Sequence, residues 1–344
     1  MQATRPKDPQ EYPWSKWTDE TLLSIRICNL GLRLTGSVLE ARIDRVHYEP
    51  TQRGLIFQPR DYLTTEWLCP DRVPWIGIPF CPAHSRLRDL ERSQILEVEG
   101  DTEHDCMKLL RHEAGHAINY AYRLYQKSRW RELFGPISEE YNVRDDFPRK
   151  YSRAFVVHLP ENYAQAHPDE DFAETFAMWL TPGLDWEKRS RGTKAIKKLE
   201  YVDHLMAGIR SRSPVVATGA KLWPVERLRS TLQSYYRKKQ RDLGDDYHGF
   251  YDEALCRIFV WNPSNPGTVR ASVFLRKHKK FLTNQIAGTA RLKKYEVDSL
   301  IRRMYQCTQE LELNLGDDEQ HSLVRLSIRL TAHLCDQRKI QRGT

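Results

Sequence analysis

The chain has 344 residues, 40% of them hydrophobic, with nine tryptophans and a net charge of +8, a composition that supports a packed core and excludes a disordered chain. No run of about 18 apolar residues occurs, and the N-terminal Met1-Gln2-Ala3-Thr4-Arg5-Pro6-Lys7 has no apolar stretch, so neither a membrane span nor a secretory leader is expected and the expected location is the cytoplasm. Seven scattered cysteines, an odd number, suit buried thiols in a reducing compartment better than a disulfide framework.

Taken in order, residues 17–26 and 36–46 read as helices, and residues 54–58 and 75–80 as short strands rich in β-formers between turn residues. Cys69, Cys81 and His84 lie close together in the chain, but their spacing matches no usual zinc motif and they are expected to be packed in the core. Residues 102–126 contain no proline and read as a buried amphipathic helix. Within it stands Arg111-His112-Glu113-Ala114-Gly115-His116, the zinc-hydrolase pattern H-E-x-x-H.

Positions i and i+4 share a helix face, so both imidazoles can point at one ion while Glu113 stands beside it. Zinc brings the pKa of a bound water toward about 7, and a neighbouring carboxylate can then take its proton as the water attacks a carbonyl. Gly115 costs helix stability, so a small residue there suggests the close approach of a strand or of substrate backbone. A catalytic site needs a third protein ligand. The metzincin arrangement would place Gly and His at positions 119 and 122, where this chain has Asn119 and Tyr122, so that class is excluded.

Residues 135–163 are polar and irregular, with Pro136, Pro148 and Pro160, and are expected to form loops over a cleft. A second helix is predicted from Pro168, with Asp169, Glu170 and Asp171 at the positive end of its dipole and Pro182-Gly183 beyond its end. Glu170 and Glu174 share one face of it, while Phe172, Phe176 and Trp179 can occupy the apolar side. Such a pair can supply a ligand carboxylate and a carboxylate that orients a ligand imidazole. On i, i+4 geometry alone the roles could be exchanged, with Glu174 as ligand and Glu170 or Asp171 supporting it.

HEAGH followed by HPDEDFAETFA resembles a bacterial family of zinc-binding metallopeptidases of gluzincin-like type, and more distantly the catalytic domains of anthrax lethal factor-like toxins. The resemblance implies that His112, His116 and Glu170 bind zinc, that Glu113 is the general base, and that Glu174 supports the ligands. In the toxin-like enzymes a tyrosine seven residues before the ligand glutamate faces the reacting carbonyl, which here implies Tyr163. Many members of the bacterial family carry an N-terminal ribbon of C-x-x-C pairs, which this chain lacks, so no binding role is carried over to its N-terminal region. An enzyme of the SprT-like, DNA-linked kind would use a histidine as third ligand, with His158 and His167 available.

The expected fold is α+β: a zincin-like catalytic domain, with a small sheet over the H-E-x-x-H helix, in residues 1–212, then a basic, mainly helical module in residues 213–344. Helices are predicted at 194–209, 225–243, 269–286, 295–311 and 318–337. Residues 1–182 carry 23 basic and 28 acidic side chains, net −5; residues 183–344 carry 31 and 18, net +13, and the two sum to +8. Residues 186–198, 237–241 and 276–280 are the densest basic stretches, with Tyr235, Tyr236 and Phe281 among or beside them. The leading expectation is a zinc peptidase acting on a peptide or protein. The alternative is a non-catalytic or regulatory zincin-fold protein whose basic half binds nucleic acid or an acidic partner.

Overall fold

The structure is a computed structural model, and residues 11–141, 152–243, 255–261, 269–316 and 318–341 are described. In chain order the elements are α1 (Asp19–Leu23), α2 (Glu40–Gln52), β1 (Arg60–Thr64), β2 (Trp75–Pro79), α3 (Ser85–Ile95), α4 (Glu103–Ala121), α5 (Ser128–Phe134) and α6 (Pro168–Leu180). There follow α7 (Trp186–Ser190), α8 (Ile196–Ile209), α9 (Leu232–Leu243), β3 (Phe259–Trp261), α10 (Ala271–Ala290), α11 (Lys294–Glu310), β4 (Leu313–Leu315) and α12 (Glu319–Gln341). Their contacts group into one unit of Met1–Glu91 with Val98–Gln233 and another of Arg92–Glu97 with Ser234–Thr344. Residues 213–233, expected in the C-terminal module, thus group with the first unit.

The first unit is built around α4 and α6, which pack along one another, with β2 and α2 also against α4. Local chemistry sets where both helices begin. Thr102 caps α4 by accepting the Asp105 N–H at 3.1 Å, and Glu103 and Asp105 face the positive end of the dipole. At α6 the cap is His167, whose Nδ1 accepts the Asp169 N–H at 3.1 Å, and Pro168 follows at the first helical position. Every residue of α6 is buried, its acids included. Charges in such an interior persist only when paired, so the acids mark where this helix meets other charged groups.

On its apolar side Phe172 meets Trp130 and Phe134 of α5, with ring centroids 5.9 and 5.4 Å away. Arg111, the residue before His112, is buried and grips Glu49 of α2 with two hydrogen bonds of 2.7 Å. That bidentate pair fixes α2 to the turn of α4 that carries the motif.

β1 and β2 form a two-stranded parallel ladder, with Tyr62 opposite Gly77. The strand expected at 54–58 is absent. Leu55 and Phe57 are buried and Ile56 is exposed, so the alternation there reflects one-sided burial of an extended segment without a ladder partner. The ladder forms six residues later. The other side of β2 is covered by Leu68, which exchanges two backbone hydrogen bonds with Gly77, while the Tyr62 and Thr64 side chains of β1 hold the Leu222 carbonyl.

In the second unit β3 and β4 pair antiparallel, Phe259 opposite Leu315, beside α10, α11 and α12. Their core includes Phe259, Phe274, Leu275, Leu300, Ile301, Met304 and Leu330. Neither short strand was expected from the sequence. The run Pro263-Ser264-Asn265-Pro266-Gly267, whose prolines and glycine mark a break between helices in the sequence, lies outside the described residues. Among the described residues no helix is long and apolar enough to cross a membrane.

Candidate metal centre

The α4–α6 packing brings His112, His116 and Glu170 together. His112 Nε2 and His116 Nε2 lie 3.0 and 3.1 Å from Glu170 Oε2, and 3.1 Å from each other. The far side of each ring is also engaged. His112 Nδ1 lies 2.9 Å from Glu174 Oε1, and His116 Nδ1 lies 2.8 Å from Asp169 Oδ2.

A carboxylate opposite Nδ1 places the ring proton there and turns the Nε2 lone pair outward. Two Nε2 lone pairs and a carboxylate oxygen therefore converge, a donor set that could hold one metal ion. Zinc takes nitrogen and oxygen donors at about 2.0–2.2 Å, which in a tetrahedron spaces neighbouring donors about 3.3 Å apart. The donor types fit, and the triangle needs to open by only a few tenths of an ångström.

The electrostatics point the same way. Burial alone would lower the His112 pKa, but Glu170 and Glu174 override it and push it up to about 9; His116 is driven well above its usual range against burial by Asp169 and Glu170. Burial would likewise raise Glu170, yet the two rings hold it well below the usual carboxylate range. The same negative surroundings that favour protons on the two imidazoles would favour a divalent ion held there in their place.

Glu113 is buried beside this triangle, and its Oε2 has no hydrogen-bond partner. Desolvation raises its pKa while the His112 and His116 rings oppose the rise. A buried, unpartnered carboxylate oxygen is costly, and its place next to three metal donors suits a proton acceptor for water.

Two further groups complete the framework. Asp169 accepts from Asn119 at 2.7 Å and from the Tyr120 hydroxyl at 2.5 Å besides holding His116; burial would raise its pKa, but the His116 ring and the Tyr120 hydroxyl keep it low. Tyr141 donates its hydroxyl to Glu170 Oε1 and stacks on His167 with centroids 4.4 Å apart, leaving Oε2 for the imidazoles. Neither role was read from the sequence. Asp169 stood among three helix-start acids that the dipole alone explained, and Tyr141 lies 29 residues before Glu170 in a stretch without periodicity.

Glu174 Oε2 accepts the backbone N–H groups of His158 and Leu159 at 3.0 and 2.8 Å, so both of its oxygens are occupied and it faces the outer edge of His112. Tyr163 sits on the short turn Pro160–Gln165, its ring 5.4 Å from that of His112 and 41% exposed, at the rim of the centre. The His158 and His167 rings turn elsewhere, with Nε2 on the carbonyls of Lys108 and Glu139. Cys81 is buried and Cys69 Sγ donates to the Val73 carbonyl. These thiols join no metal-ligating group among the described residues.

Gly115 admits another helix, where a strand or substrate had been expected. A Cβ there would stand 2.7 Å from Ala173 Cα.

Residues 88–188 match the family model described as "putative zinc-binding metallo-peptidase". The matched span contains the whole donor set. No curated protein and no solved structure matches the chain.

The basic stretches are partly neutralised within the fold. Lys198 pairs with buried Asp171, and in 276–280 Lys277 bonds Glu319 and Lys279 bonds Asp298 at 2.9 Å.

Proposed function

We propose that the protein is a zinc-dependent metallopeptidase of gluzincin-like type on a zincin-like scaffold, acting on a peptide or protein, with His112, His116 and Glu170 as zinc ligands. The convergence of three acceptor atoms beside the unpartnered carboxylate of Glu113 carries this reading. Zinc held by these donors would supply Lewis acidity and acidify a water molecule.

The chain's own residues supply the rest. Glu113 accepts a proton as the water oxygen bonds to the peptide carbonyl carbon, then delivers that proton to the departing amine as the C–N bond breaks. Tyr163, whose ring lies 5.4 Å from that of His112, would donate its hydroxyl to the carbonyl oxygen as negative charge grows there, the role implied by the resemblance to lethal factor-like enzymes. Asp169 and Glu174 hold the imidazoles in the tautomer that exposes Nε2, and Tyr141 holds Glu170 so that one oxygen faces them.

The test is digestion of a cell-derived peptide library by wild type and by Glu113→Gln, with zinc measured in both. Wild type should cleave, and the variant should keep zinc and lose at least about 10²-fold in rate. Equal cleavage by the two would overturn the mechanism. A zinc-replete wild type that cleaves nothing would overturn the assignment.

A further inference from the structure

Residues 254–295 hold nine lysines and arginines and no aspartate or glutamate. At the chain's average of 46 acids in 344 residues, a stretch of this length would carry about six. Its centre is α10, which has Arg276, Lys277, Lys279 and Lys280 within five positions. The neighbouring helices of the same unit mix their signs: α11 sets Glu296, Asp298 and Glu310 among its cations, and α12 begins with Glu319.

Packing fixes which side of α10 meets water. Phe274, Leu275, Leu282, Ile286 and Ala287 are buried in the core of the second unit, whereas Val273, Arg276, Lys280, Phe281, Asn284 and Gln285 are exposed. At 100° per residue those six fall on one side of the helix, along about 18 Å of its axis.

Two of the four cations are neutralised by other helices, Lys277 by Glu319 at 2.6 Å and Lys279 by Asp298 at 2.9 Å. Arg276 and Lys280 have no ion pair among the described residues, although they stand one turn apart, where like charges repel. A face that serves only solvation carries interleaved acids that relieve such repulsion, and this one has none. Phe281, 52% exposed, adds an aromatic ring next to Lys280 in the chain, and Asn284 and Gln285 add amides that both donate and accept.

These groups discriminate among anionic partners. A membrane surface is met by the apolar side of an amphipathic helix, and here that side is committed to the core. A nucleic-acid strand engages every exposed group: phosphates meet the cations, a base face meets the ring, and base edges meet the amides. A strip without acids also suits a ligand that is anionic along its whole length.

We propose that the solvent face of α10 binds single-stranded nucleic acid, with Arg276 and Lys280 on phosphates and Phe281 stacked on a base. A single strand is specified because the bases of a duplex are already stacked on one another and offer the ring no face. The surface belongs to the second unit alone, so this binding stands apart from turnover at the metal centre.

The experiment titrates the full-length protein into a fluorescein-labelled oligo(dT) of about 20 nucleotides and follows anisotropy from about 50 to about 200 mM salt. Affinity should fall as salt rises. The double variant Arg276→Gln, Lys280→Gln should lose at least about tenfold at the lower salt and flatten the logarithmic salt slope by about 1.4, the share of two phosphates on a single strand. Phe281→Ala should lose about five- to hundredfold and leave the slope unchanged. A charge-matched control on α9, Lys238→Gln with Arg241→Gln, should stay within about threefold of wild type. All five side chains are exposed, so the variants should melt as wild type does in circular dichroism.

No binding at the lower salt, an equal loss in the α9 control, or unchanged affinity in Phe281→Ala would each overturn the proposal. So would displacement of the oligonucleotide by polyglutamate at equal charge, which would mark an acidic protein as the partner, or by phosphatidylserine vesicles, which would mark a membrane.

Discussion

Gly115 and Ala173 meet where α4 crosses α6: a Cβ built on the glycine would stand 2.7 Å from Ala173 Cα and 2.9 Å from its carbonyl oxygen. The contact lies one residue before His116 and three after Glu170, so the separation of the two helices here also sets the separation of the metal donors.

Gly115→Ala should therefore push the helices apart. Overpacking of this kind costs about 1–3 kcal/mol, and the same shift should loosen the ion. The expected result is a lower Tm in the apo protein and faster zinc loss to a chelator. A variant with wild-type melting and wild-type zinc retention would show that the crossing tolerates a methyl group.

Asp169 and Glu174 each hold the Nδ1 edge of one imidazole without entering the donor triangle. Asp169→Asn and Glu174→Gln should each weaken zinc binding by about 10–100-fold, measured by competition with a chromogenic chelator. Loss of this size from both, with helix content retained in circular dichroism, would separate orientation of the rings from general unfolding.

The two tyrosines near the centre should differ in what they change. Tyr141→Phe removes the donor to Glu170 Oε1 and should appear as weaker zinc retention. Tyr163→Phe should leave zinc in place and lower kcat by about 10²–10³, the usual loss for one oxyanion donor. If Tyr163→Phe turned over at the wild-type rate, the rim tyrosine would have no part in catalysis.

His158 gives the protein a pH dependence separate from its turnover. Its ring is buried, its Nε2 lies on the Lys108 carbonyl at 3.0 Å, and burial pulls its pKa down to about 4. The unfolded residue titrates near 6.5, so between those values the unfolded chain binds a proton that the folded chain refuses. Stability is complete above about pH 6.5 and is lost as pH falls toward 4, by about 2 kcal/mol at pH 5. Urea unfolding of wild type and His158→Gln at pH 7.5 and 5 checks this. The difference between them should shrink at the lower pH, and a constant difference would rule it out.

What could be read from the chain follows the range of the contacts. His112, Glu113 and His116 were legible because a helix repeats every 3.6 residues and places all three within one turn and a half. Helix α6 was legible from Pro168, the acids after it and Pro182-Gly183 beyond its end. The pattern at 54–58 showed which side chains are buried but not whether their backbone finds a ladder, because pairing depends on a distant segment. Tyr141 on Glu170 and Ala173 against Gly115 were invisible for the same reason: each joins segments whose approach only the folded chain decides.

The carboxylates facing the two imidazoles, Asp169, Glu170 and Glu174, all come from one short stretch of α6. An insertion in the loops between Tyr122 and His167 would leave those contacts in register, whereas one residue added between Asp169 and Glu174 would turn Glu174 by about 100° and strand His112. Other chains that build the same centre should therefore be sought by two fixed blocks, H-E-x-x-H and D-E-x-x-x-E, with any length of chain between them.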